Sequence, residues 1–150
     1  MTMANMLTPG QSLKVNESLV SKNGKYHIQY EENGKVVIYD WSLTPPKPIW
    51  MTPTEHAAPG QFIFQATDGN LVVYNDVGEP VWDIGVTPAD AGTPVMAVMQ
   101  DDGNFVVYRV RPVWGSAAPP AGPHSNWVSS LTNIANGLQT VETVISIVSE

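Results

Sequence analysis

The apolar positions of this chain fall into two regimes with different periods. From about Gln11 to Trp114 they form short β-branched and aromatic runs, Lys35-Val36-Val37-Ile38-Tyr39, Leu71-Val72-Val73-Tyr74 and Phe105-Val106-Val107-Tyr108, which read as strands. Each run follows a turn signal: Asn33-Gly34, Asp68-Gly69-Asn70 or Asp102-Gly103-Asn104. Asn-Gly and Asp-Gly favour tight hairpins because both residues tolerate positive φ. The apolar stretches upstream, Tyr26-His27-Ile28, Phe62-Ile63-Phe64 and Val95-Met96-Ala97-Val98-Met99, then supply the opposing strands. Towards the C-terminus the period lengthens. Trp127, Leu131, Ile134, Leu138, Val141, Ile145 and Val148 follow a 4-3 spacing, the apolar stripe of a helix, with Ser125 or Asn126 as its N-cap.

The strand region repeats. Pro-(Ile/Val)-Trp occurs at Pro48-Ile49-Trp50, Pro80-Val81-Trp82 and Pro112-Val113-Trp114, with the tryptophans at an even interval of 32 residues. Tyr39, Tyr74 and Tyr108, which close the other element, stand 35 and 34 apart. Two markers keeping one period indicate three copies of a supersecondary unit, which bury a shared core together and none alone. The three tryptophans are expected to meet on the pseudo-threefold axis and fill it. The division expected is an all-β body over 1–116, a Pro/Ala/Gly linker over 117–124 and an amphipathic helix over 125–150. The helical seam is compatible with a small parallel coiled coil, which predicts a homo-oligomer, and the rival is a helix folded back on its own body.

Composition narrows the function classes. Apolar residues make up 43% and charged ones 14%, enough for a real core and against disorder throughout. A formal charge of -7 with no basic cluster argues against nucleic acid and anionic membrane as partners. The chain has no cysteine, so disulfides, thiolate nucleophiles and Cys-ligated zinc are excluded. No stretch has the roughly 18 apolar residues of a membrane helix, and no membrane insertion is expected. The N-terminus does not read as a secretory signal. The expected location is cytoplasmic, or outside by release without a classical signal peptide.

The segment Gln100-x-Asp102-x-Asn104-x-Val106-x-Tyr108 carries the chemistry. On one strand its five named residues share a face; across a hairpin, paired residues share one as well. A carboxylate, two carboxamides, a phenol and a small apolar side chain on one shallow surface suit a neutral polyol, because they both donate and accept hydrogen bonds and meet a ring C–H patch. These residues match the Q-x-D-x-N-x-V-x-Y motif of the monocot-type, bulb-type mannose-binding lectins, which the chain resembles from about residue 7 to 116. The Pro-x-Trp elements, Gly10-Gln11-Ser12-Leu13 and Asn23-Gly24-Lys25-Tyr26 resemble the same family. The resemblance implies a β-prism II fold, three four-stranded sheets about a pseudo-threefold axis, each with a potential mannose site. It also implies that Asp and Asn hold the axial 2-hydroxyl, Gln the 3-hydroxyl and Tyr the 4-hydroxyl, with Val against the ring.

The copies are unequal. In the middle repeat Asp68, Asn70, Val72 and Tyr74 match, but Ala66 stands where Gln belongs and Gln65 comes one position early, so a bulge is needed to bring it into place. In the first repeat Glu31, Asn33, Lys35, Val37 and Tyr39 fill the five positions with three polar identities changed, and this copy is expected to serve as scaffold. His27, His56 and His124 lack metal-ligand spacing, and no cofactor is expected. Asp101 and Asp102 face opposite ways on a strand, which spoils the paired carboxylates of a glycosidase. The expectation is a non-enzymatic lectin for D-mannose or mannose-containing glycans, chiefly through the third repeat. The alternative is a prism scaffold that binds no sugar and acts through protein–protein contacts, as an assembly component or in a bacteriocin-like or toxin-like role.

Overall fold

The computed structural model describes residues 3–87 and 92–110. Along the chain the strands are β1 (Met6–Leu7), β2 (Ser12–Leu13), β3 (Ser18–Val20), β4 (Tyr26–Tyr30), β5 (Val36–Asp40), β6 (Lys47–Met51), β7 (Pro59–Phe64), β8 (Leu71–Asn75), β9 (Pro80–Asp83), β10 (Thr93–Met99) and β11 (Phe105–Val110). They form three antiparallel sheets, ordered β3-β4-β5-β6, β2-β7-β8-β9 and β1-β10-β11. The first two have four strands; the third has three among the described residues. Pro112-Val113-Trp114, His124, the linker expected over 117–124 and the helix expected over 125–150 lie outside the described residues.

Each sheet takes its middle hairpin from one repeat, as the period predicts. The outer strands do not follow that rule. The first twenty residues run past all three sheets: β1 pairs with β10, β2 with β7 and β3 with β4. The three units are therefore stapled together by one N-terminal segment, a connection that the repeat pattern does not contain.

The core is built from equivalent inward positions of the three repeats. Tyr30, Phe64 and Met99, each the last residue of its strand, are fully buried, as are Ile28 and Ala97, with Phe62 at 1% exposure. They make one apolar cluster with Val36, Ile38, Leu71 and Val73, to which the N-terminal strands add Leu7, Leu13 and Leu19. Burying a side chain of this size fully contributes about 1.5–3 kcal/mol. Tyr30 also ties two sheets, since Gly60 N–H donates to its hydroxyl at 3.1 Å and the hydroxyl donates to the Tyr74 carbonyl at 3.3 Å.

The tryptophans meet the expectation in part. Trp50 and Trp82 contact edge to face with centroids 5.8 Å apart, and Trp82 packs against the core. Trp50 remains 40% exposed, and Trp114 lies outside the described residues. The hairpins also differ from two-residue turns. In the third, Gln100 N–H donates to Asn104 O at 2.9 Å and Gly103 N–H to Gln100 O at 3.1 Å, so three residues form the loop, and Gly103 takes φ +84°. Asp102 is not left-handed; the glycine alone supplies the positive φ, in the three-residue hairpin geometry where a left-handed glycine closes a type I turn.

Candidate functional site

The same hairpin recurs in each sheet, which places each repeat's polar residues alike. Glu31, Gln65 and Gln100 each receive a backbone bond from the glycine of the turn, Gly34, Gly69 and Gly103. The next polar residue then caps the turn with its side chain. Asn33 Oδ1 accepts from Lys35 N–H, Asp68 Oδ1 from Asn70 N–H and Asp102 Oδ1 from Asn104 N–H, each at 2.9 Å. A carboxylate or carboxamide two residues ahead of the N–H it caps is the usual Asx turn. One oxygen of Asp68 and of Asp102 is thereby committed to the turn, and the second is not used by it.

In the third repeat Gln100 Nε2 donates to the Tyr108 hydroxyl across the hairpin. Val106 lies between them in sequence and directly opposite Val98 on β10, on the outer face of the sheet. Asp102 and Asn104 are exposed, while Gln100, Val106 and Tyr108 are half-buried. Together the motif residues form one wall of a cleft of about 360 Å³, which Asn5 and Lys22 from the N-terminal segment help to line. Asp101 points elsewhere: it accepts the Asn23 N–H at 2.8 Å and so pins this turn to the first repeat. All five predicted residues of the third repeat are gathered here.

The middle repeat holds a correction. The carboxamide missing at Ala66 is supplied by Gln65, because the turn is one residue longer: Gln65 N–H bonds Asn70 O at 2.8 Å, matching the Gln100–Asn104 bond. In the amide orientation that satisfies both its ends, Gln65 accepts from the Tyr74 hydroxyl at 2.7 Å and donates to both Asp68 carboxylate oxygens at 3.1 Å. Gln65, Asp68, Asn70, Val72 and Tyr74 thus form a complete set. A signal for it exists in the sequence, since Gln65 precedes Tyr74 by nine residues whereas Gln100 precedes Tyr108 by eight. Asn70 Nδ2 donates to Asp83 at 3.2 Å, while Asn70 Oδ1 is buried without a protein partner. Arg109 reaches over from β11 and donates to the Asp68 carbonyl at 2.9 Å, fixing this turn from the third sheet.

The first repeat keeps the hairpin but not the chemistry. The Tyr39 hydroxyl donates to Glu31 Oε1, and Asn33 Nδ2 donates to Glu31 Oε2 at 3.0 Å. The bond to Glu31, with burial and the carboxylate charge behind it, pushes the Tyr39 phenol up to about 12. Lys35 turns to Glu55 at 3.8 Å. None of the three repeats pairs two carboxylates across a cleft. Among the described residues no group of three His, Asp or Glu could hold a metal ion.

Three shallow polar clusters on the outer faces of a three-sheet prism define a β-prism II lectin. Superposition on the solved structure of the snowdrop (Galanthus nivalis) mannose-specific agglutinin complexed with methyl-α-D-mannoside gives a TM-score of 0.61 at 31% identity, over 81% of this chain and 98% of that one. In sequence the chain is 31% identical over 86 residues to the B-type lectin plumieribetin of Scorpaena plumieri, covering 57% of this chain and 71% of that protein. It is 38% identical over 71 residues to the snowdrop mannose-specific lectin, covering 47% of this chain and 41% of that protein. No protein-family model matches the chain. The chain belongs to the bulb-type, or B-type, lectin family.

Proposed function

We propose that this lectin binds terminal D-mannose, free or in mannose-containing glycans, through the third repeat and, with Gln65 in place, through the second. The observation that carries this reading is the third hairpin, where Gln100, Asp102, Asn104 and Tyr108 are held by backbone and cross-hairpin bonds on one rim of an open cleft. Side chains held before the ligand arrives lose little rotamer entropy on binding. The spare oxygen of Asp102 accepts from a hydroxyl, the carboxamides donate and accept, and Val106 meets the ring. In the second repeat the buried Asn70 Oδ1 is an acceptor that an incoming hydroxyl satisfies, which supports the same use of that site. Binding without bond-breaking fits the separate tasks of Asp101 and Asp102.

The test uses Asp102→Asn. Asn33 makes the same turn bond in the first repeat, so the asparagine keeps the hairpin and removes only the charge. Losing a charge-assisted hydrogen bond costs about 1.5–3 kcal/mol, so mannose affinity should fall at least tenfold with the melting temperature nearly unchanged. Unaltered affinity in calorimetry would displace the sugar from this hairpin.

The chain is further proposed to act as a homo-oligomer. One shallow site binds weakly, and joined sites gain avidity. Supporting this, Ile49, Trp50 and Met51 on β6 and Val81 and Ile84 at β9 are 38–47% exposed, an apolar strip that a second copy covers. Light scattering of the full chain should give a multiple of the 16.3 kDa protomer mass; a monomer at micromolar concentration would remove the proposal.

A further inference from the structure

In the first repeat the acid and the amide have exchanged places. Glu31 stands where the third repeat has Gln100, and Asn33 where it has Asp102. The negative charge is therefore moved, from the turn tip to the side of the site against Tyr39. Glu31 consumes the phenol proton and one proton of Asn33, so this edge offers acceptors only: carboxylate lone pairs and the Tyr39 oxygen. The nearest cation in sequence, Lys35, is drawn towards Glu55. A neutral hexose does not need this arrangement; a ligand that brings a positively charged donor does.

A second feature of this chain lies on the same face. Tyr39 is directly opposite His27 on β4, and opposed residues of an antiparallel pair project to one side. Trp41 stacks on His27 with centroids 4.7 Å apart and planes at 20°, and it is half exposed. Its position is set by its own N–H, which donates to Lys25 O at 2.7 Å, and by Asp40, which folds back the start of the loop by accepting from Ser42 N–H at 2.9 Å and Ser42 Oγ at 2.6 Å. The connection between β5 and β6 runs from Trp41 to Pro46, longer than the Asp76 to Glu79 connection at the same place in the second repeat. Trp41, His27 and Tyr39 thus form a row of rings that ends at the Glu31 carboxylate.

We propose that the first repeat is a separate binding site for an oligosaccharide of amino sugars with free amino groups. One pyranose lies with its C–H face on the open side of Trp41, and an ammonium group further along meets Glu31 and the Tyr39 oxygen. The backed indole is a flat apolar platform whose ring face also attracts cations. With about 5 Å between opposed side chains added to the ring stack, Trp41 to Tyr39 spans more than one sugar. That length selects two or three linked residues over a monosaccharide.

The test is a two-dimensional NMR titration of the full chain with the β-1,4-linked trimer of glucosamine, its N-acetylated counterpart and mannose. The glucosamine trimer should shift the Trp41 indole and the amides around Tyr39 with about millimolar affinity, and the N-acetylated trimer should bind at least tenfold more weakly. Glu31→Gln, tolerated because glutamine fills the equivalent position in both other repeats, should abolish that preference. Trp41→Ala, on an exposed loop, should weaken the glucosamine trimer at least tenfold, which attraction to an acidic surface alone does not predict. Mannose shifts around Asn104 should be unaffected in both variants, so failure of the mannose reading and failure of this one are seen on different signals. Equal binding of the two trimers, an unaltered Glu31→Gln protein, an unaltered Trp41→Ala protein, or shifts confined to the third repeat would each overturn the proposal.

Discussion

Glu31 shows how one residue alters a site without altering its frame. The backbone bonds of its hairpin are those of the third repeat, yet replacing carboxamide by carboxylate turns the phenol of Tyr39 into an obligatory donor. This has a consequence for stability. The Tyr39 pKa is raised from 10.0 to about 12 in the folded chain, so folding favours the protonated phenol. Its contribution is fully present below pH 10 and is lost as the pH rises towards about 12. Urea denaturation of the parent and of Tyr39→Phe across this window should show a stability difference that shrinks with pH. A constant difference would mean that Tyr39 does not donate to Glu31. The sequence shows the change of residue at position 31 directly; it does not show that Asn33 turns to the same carboxylate.

At the scale of the element, hairpin length decides which glutamine works. The turn of the second repeat has one more residue than the others, and that residue returns Gln65 to the place that its sequence offset seems to deny it. The expected outcome is asymmetric. Gln65→Ala should weaken mannose at the second site at least tenfold, whereas Ala66→Gln, on an exposed position of the turn, should add nothing. NMR shifts of the Tyr74 and Asn70 amides during a mannose titration check both variants. The turns are otherwise readable from sequence because their determinants are local. Gly34, Gly69 and Gly103 take the positive φ, and Asn33, Asp68 and Asp102 cap the following N–H. Gly34 has a further constraint that the sequence hides: a Cβ there would stand 2.2 Å from the Ala57 carbonyl oxygen.

For the molecule as a whole, the N-terminal segment carries weight out of proportion to its strands. β1 and β2 are two residues each, but Leu7 and Leu13 are 4% exposed and sit in the shared cluster. Truncating a buried leucine removes its transfer free energy and leaves a cavity, about 2–5 kcal/mol. Leu7→Ala should therefore lower the stability of the whole described body by that amount in a single cooperative transition. A loss below about 1 kcal/mol in denaturant titration would show that β1 does not hold the third sheet to the others. The same interlocking positions the sites: Asn23 of the first repeat pins the turn of the third, and Arg109 of the third pins the turn of the second.

The chain by itself determined whatever depends on neighbours in sequence. Its threefold period, its strand runs, the glycine turns and the five polar and apolar residues from Gln100 to Tyr108 are all written within a few residues of one another, where alternation and turn propensity act. The tertiary structure decided what depends on partners far away. It assigned β1, β2 and β3 to three different sheets, gave Gln65 its place beside Tyr74, left Trp50 exposed and laid Trp41 on His27. These outcomes rest on hydrogen-bond register and on which surfaces close together around the core. A two-residue strand or an isolated tryptophan carries no periodic signal of its own, so its partner is chosen only when the three sheets meet.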